Sequence, residues 1–156
     1  MIDMILMTLA LGVPAGEQAT VESGEAPVAT ARVAEAQTPS GKFLTATEVK
    51  PILMATRGNW VAVREYDGRD LIYFTHLLSW RCGLYEVKYS INGGQLQEWP
   101  LPPCLTDTNA PNAIPTEAKI YEGHPLGSIT SVDIELLYDD LSRESAHFER
   151  KQVLMP

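Results

Sequence analysis

The sequence predicts an α+β fold: one N-terminal helix followed by a five- to six-stranded, mainly antiparallel sheet. Three observations carry this. A capping signal precedes a helical apolar stripe near residue 45, period-two alternation recurs in several short runs downstream, and the turn dipeptides Asp67-Gly68 and Asn92-Gly93 separate those runs at hairpin spacing.

The helix comes first. In Thr45-Ala46-Thr47-Glu48 the Thr45 hydroxyl is placed to accept from a free amide near Glu48, while the Glu48 carboxylate reaches back. Leu44 and Val49 stand at the two staple positions, and Val49, Ile52, Leu53 and Thr56 share one face. Gly58 suits the stop. Pro51 falls one turn inside a helix capped at Thr45, where it favours a kink, and near the first turn of a helix capped at Thr47.

Strands then take over. Runs 60–66 and 71–78 flank Asp67-Gly68, and runs 84–91 and 95–101 flank Asn92-Gly93-Gly94. Tyr85, Val87, Tyr89 and Ile91 alternate with Glu86, Lys88 and Ser90, the mark of a sheet with one wet face. Five prolines between residues 100 and 115 make that segment a loop. Alternation resumes over 129–138, residues 139–145 read as a polar turn, and 146–154 as a closing strand. His124-Pro125 reads as a turn.

Upstream of the domain the chain changes character. Residues 1–15 hold an apolar run of about ten residues followed by Val13-Pro14-Ala15, which fits a signal peptide although Asp3 has the wrong sign for its start. The run is too short for a membrane span, which takes roughly twenty residues. Residues 16–40 are rich in Ala, Pro, Glu and Thr and lack aromatic residues, Leu and Ile, so they read as a flexible acidic linker to a single globular domain over 41–156.

Cys82 and Cys104 are the only cysteines, 22 positions apart, and both fall beside the second hairpin. Behind a signal peptide an even pair favours a disulfide, placing the chain in the periplasm or outside the cell. A zinc site would need further ligands that the spacing does not supply, and no metal or cofactor is expected.

Twenty acidic residues against twelve basic ones give a net charge of −8, which disfavours a nucleic-acid partner. No nucleophile elbow, phosphate loop, dinucleotide fingerprint or zinc-protease motif is present. Asp67-Gly-Arg-Asp70 and Asp139-Asp140 read as solvated turns. The candidate binding residues are Trp80 and Arg81, an apolar plate and a forked donor beside the disulfide, together with His76 on the second strand. Trp60, Tyr73, Tyr85, Tyr89 and Trp99 offer a second candidate surface on the sheet.

The expectation is an exported, non-enzymatic binding or structural domain with a protein or small-molecule partner. The alternatives are a small hydrolase-like enzyme using His76 with a nearby carboxylate, Asp70, or with His147, and an accessory subunit that lends an edge strand to its partner.

Overall fold

A computed structural model describes residues 32–156, which form one compact unit, Arg32–Pro156. The expected signal peptide and most of the expected linker lie outside the described residues. Residues 32–40, which composition assigns to the linker, lie within that unit: the Glu35 amide donates to the Asp139 carbonyl at 2.8 Å.

Helix α1 spans Ala46–Ala55 with Thr45 at its cap, and it buries Ala46, Val49 and Leu53. The capping box is only half of what the motif suggests. Thr45 donates its hydroxyl to Glu48 at 3.3 Å and accepts no amide. The first two amides are satisfied from elsewhere, Ala46 by Asp139 Oδ1 at 2.7 Å and Thr47 by Gln37 Oε1 at 2.8 Å. Glu48 meanwhile accepts from Ser40, Gly41, Phe43 and Leu44, so the chain wraps around its carboxylate with Gly41 and Phe43 both at positive φ. Burial pushes this carboxyl up, but the donors from Ser40, Phe43 and Leu44 outweigh it and hold the group at about 2. Pro51 sits inside the helix on its exposed side, and the carbonyl that it leaves without an amide belongs to exposed Thr47.

The α+β class holds, with seven strands in two antiparallel sheets. The small sheet has the order β1 (Ala62–Tyr66), β2 (Arg69–Tyr73), β5 (Tyr121–Pro125). The large sheet runs β4 (Gln97–Trp99), β3 (Leu84–Ile91), β6 (Ser131–Tyr138), β7 (Arg143–Glu149). Asp67 and Gly68, at φ 52° and 71°, make the tight β1–β2 turn that the dipeptide predicts. The second hairpin signal also forms: Asn92 and Gly93 have φ 55° and 70°, and Asn92 Oδ1 accepts the amides of Thr130 and Ser131 at 2.7 and 3.1 Å.

Several boundaries differ from expectation. The second strand ends at Tyr73, and Thr75–Leu78 is a helical turn, α2. A short apolar run reads equally as buried strand or buried helix, which is why periodicity misplaced it. The polar segment 139–145 turns earlier, so β7 begins at Arg143, and the chain closes in a helical turn, α3 (Arg150–Val153), where Glu149 and Gln152 form a reciprocal capping box. Strand β5 carries Gly123 and Pro125 and lacks alternation, which hid it.

One core joins helix and sheets: Val49 and Leu53 from α1, Trp60, Ile72 and Phe74, and Val87, Trp99, Ile134, Leu136 and Tyr138 from the large sheet. The outer edge of β1 is covered by the chain's last residues, since Met155 donates its amide to the Val63 carbonyl at 2.8 Å.

Candidate functional site

The disulfide is formed. Cys82 lies in a 3₁₀ turn, Arg81–Gly83, directly before β3, and Cys104 lies in the proline-rich loop, with 5.1 Å between their Cα atoms. Among the described residues no helix is long and apolar enough to cross a membrane, and no group of three or more His, Cys, Asp or Glu could hold a metal ion.

Arg81 is engaged by the chain's own backbone. It is 3% exposed, and its guanidinium donates to five backbone carbonyls: Pro102 from Nε at 2.9 Å, Leu78 and Asn112 from Nη1 at 3.1 and 2.8 Å, and Pro103 and Ala113 from Nη2 at 2.8 and 2.9 Å. All five donors of the fork are consumed, with no acid partner, so the side chain shapes the loop from within. Burial lowers its pKa. Trp80 is half-buried and meets Phe43 edge-on at 5.2 Å, beside the core.

His76 sits on α2, not on a strand. Its Nε2 lies 2.8 Å from Thr56 Oγ1, and Thr56 gives its own proton to the Ile52 carbonyl at 2.7 Å. The hydroxyl must therefore accept from His76, which fixes the proton on Nε2. Burial lowers the His76 pKa. The carboxylate and histidine proposed to assist it are engaged elsewhere. Asp70, read from sequence as part of a solvated turn, is fully buried and takes Arg150 Nη1 at 2.6 Å with the amides of Gly127 and Ile129 at 3.0 and 3.1 Å. His147, on the exposed side of β7, lies between Asp133 at 2.7 Å and Glu149 at 2.9 Å. Asp139 is likewise buried, at the start of α1, and burial raises its pKa.

The aromatic candidates divide. Trp60, Tyr89 and Trp99 are in the core. Tyr85 falls at a bulge between Leu84 and Glu86, which turns it away from the core to meet Arg32, whose guanidinium lies 5.1 Å from the ring centroid. Tyr73 alone reaches an open sheet face, the outer side of the small sheet.

That face is built by register. Ala62, Tyr73 and Tyr121 form one row across the three strands, Arg64, Leu71 and Gly123 the next, and Tyr66, Arg69 and Pro125 the third. Side chains alternate along each strand, so these positions lie on the side opposite Val63 and Ile72, which fill the core, although Leu71 at the centre of the face is only 3% exposed. Tyr66 is 55% and Tyr121 45% exposed. Arg64 lies 4.6 Å from the Tyr66 ring centroid, and Tyr73 and Tyr121 are 5.6 Å apart. The Arg69 guanidinium lies across Gly123, where a Cβ would come within 2.7 Å of Nη1. No row contains an acid. At its end the face opens into a cleft of about 310 Å³ lined by Asn59, Ala62, Arg64, Tyr73, His76 and Met155 among others.

The charge distribution sets this face apart. Of the seven arginines, Arg32, Arg57, Arg143 and Arg150 pair with acids and Arg81 with carbonyls. Among the described residues Arg64 and Arg69 have no acid partner within 4.0 Å, and both stand here, on a chain of net charge −8. Sequence reasoning missed Arg64, Tyr66, Arg69 and Tyr121. The available signal was the Ala62, Arg64, Tyr66 alternation in a strand whose other face turns Val63 to the core.

Comparison of the chain with family models, with characterised proteins and with solved structures found no match.

Proposed function

We propose that this chain is an extracytoplasmic, non-enzymatic binding domain whose contact surface is the outer face of the small sheet together with the adjoining His76 cleft. The observation that carries the reading is the pair of arginines without acid partners among exposed tyrosines on an otherwise acidic protein. Tyrosine and arginine are the residue types that dominate binding energy at interfaces, while Asp and Glu are depleted there. The disulfide supports an oxidising compartment, and the apolar start of the chain supports export. The hydrolase alternative lacks comparable support, because the one side-chain hydrogen bond of His76 is to a threonine hydroxyl and no carboxylate lines its cleft.

The test is amide chemical-shift mapping on the full chain against pools of acidic, neutral and basic octapeptides and of neutral and uronate oligosaccharides. The expected result is a set of shifts confined to β1, β2, β5 and His76, lost in a Tyr66→Ala/Tyr121→Ala variant of unchanged thermal stability. Shifts centred on another surface, or none with any pool, overturn the reading.

A further inference from the structure

Beside the disulfide lies a cavity of about 570 Å³, a size that suits a small organic ligand. Leu44, Leu84, Leu101 and Pro102 give it apolar walls, and Asp139 lines it as well. Asp139 is 2% exposed, and all but one of its polar atoms are used. Its amide donates to the Gly83 carbonyl at 3.0 Å, its carbonyl accepts from the Glu35 amide at 2.8 Å, and Oδ1 takes both the Ala46 amide and Gln37 Nε2. Among the described residues Oδ2 has no hydrogen-bond partner and no cation pairs with the carboxylate, whereas Asp70, the other buried acid, has Arg150. We infer that this cavity binds a primary ammonium group carried on an aliphatic stem, with Asp139 Oδ2 as its acceptor.

Charge selects the ligand. A carboxylate held in the interior calls for a cation or for donors on both oxygens. The start of α1 offsets roughly half a charge, and Glu35, exposed at the rim and without a cation partner among the described residues, adds a full negative one. The two arginines of the wall are engaged: Arg32 by Glu86 at 3.2 Å, and Arg81 by its five carbonyls. An uncharged occupant would leave the acid uncompensated. A guanidinium fork matches a carboxylate through both oxygens, and Oδ1 already holds two donors. An ammonium is a point charge that Oδ2 alone can serve, and its hydrocarbon stem then rests on the leucine and proline walls.

The experiment is amide chemical-shift titration of the full chain at pH 7 with pentylamine, 1-pentanol, pentylguanidine and acetyl-Gly-Lys-Gly-amide. Pentylamine is expected to move the amides of Leu44, Leu84, Tyr85, Leu101 and Asp139 and to bind at least tenfold tighter than the alcohol or the guanidine. Asp139→Asn keeps the Oδ1 acceptor for Ala46 and Gln37 and replaces only Oδ2, so it should lose at least tenfold, while Asp133→Asn, on β6 outside the cavity, should lose nothing. If Asp139→Asn fails to fold, the wild-type comparison of the ligands decides. Tighter binding of the lysine peptide than of pentylamine assigns the group to a polypeptide side chain and weaker binding to a free amine, and both support the inference. Shifts elsewhere or none, equal or tighter binding of the alcohol or the guanidine, undiminished binding by folded Asp139→Asn, or an equal loss in Asp133→Asn overturns it. No residue of the small-sheet face lines this cavity, so such a failure leaves the reading of that face standing.

Discussion

Replacing Arg150 by Met tests how Asp70, the most buried charge among the described residues, is compensated. Asp70 has no exposure to solvent, and two of its four hydrogen bonds come from Arg150, at 2.6 and 3.1 Å. Arg150 holds the Asp70 carboxyl at about 2 against an ordinary 3.8, in opposition to burial. That depression corresponds to about 2 kcal/mol of stability. Because the folded pKa is the lower one, this stability is fully present above about 3.8 and is lost as pH falls toward 2. Removing the arginine does more than cancel this stabilisation: it leaves a carboxylate in the interior with two amide donors, a change that costs about 3–5 kcal/mol. Against a total of roughly 5–15 kcal/mol for a domain of this size, the variant should show a markedly lower urea midpoint with an unchanged slope. In the variant Arg150 no longer opposes burial, so the Asp70 pKa rises and the penalty should shrink when the same titration is run at pH 3, where the acid is taken up neutral. A loss below about 1 kcal/mol at pH 7, or a penalty that does not shrink at pH 3, refutes the argument that Asp70 is a buried, compensated charge.

Other outcomes follow from the same geometry. Arg81→Lys should loosen the proline-rich loop, because an ammonium offers three donors where five carbonyls wait, and faster amide exchange or proteolysis between residues 100 and 115 would report it. Gly83→Ala should cost about 1–3 kcal/mol by overpacking, since its Cβ would clash with Val49 Cγ2 and come within 2.9 Å of the Thr45 carbonyl; thermal unfolding checks it. Joint Cys82→Ala and Cys104→Ala replacement should cost about 3 kcal/mol in denaturant. In an NMR titration His76 should titrate below the ordinary histidine value, through burial, and His147 above it, through Glu149 and Asp133. The His147 contacts then strengthen the fold below about 6.5 and are lost as pH rises through its raised value. Asp133→Asn should bring the His147 value down and leave His76 unmoved.

The sequence was readable where the signal is local. The α1 stripe, the Asp67-Gly68 and Asn92-Gly93 turns and the alternation in β3 and β6 each depend on residues a few positions apart, and each forms; the two cysteines, 22 positions apart, were legible because they are the only pair. What escaped depends on distant partners. Nothing near Asp70 announces that Arg150 will make its burial tolerable, and nothing near Asp139 announces that it will cap a helix begun at Ala46. The short apolar run around His76 carries no period that separates strand from helical turn. The candidate face escaped for a related reason: Arg64, Arg69 and Tyr121 meet only after β5 joins β2, and β5 has the composition of a turn.

The helix cap supplied by Asp139 crosses 93 positions, the Arg150–Asp70 pair 80, and the Gln37–Asp139 contact 102. A ribosome that has finished α1 and the first hairpin has therefore released neither the acid that completes the one nor the cation that neutralises the interior of the other. Both sites are completed only by Asp139 and Arg150, and closing such wide loops is slow. The helix start and the first hairpin are thereby both held from one later stretch of the sequence, residues 139–150.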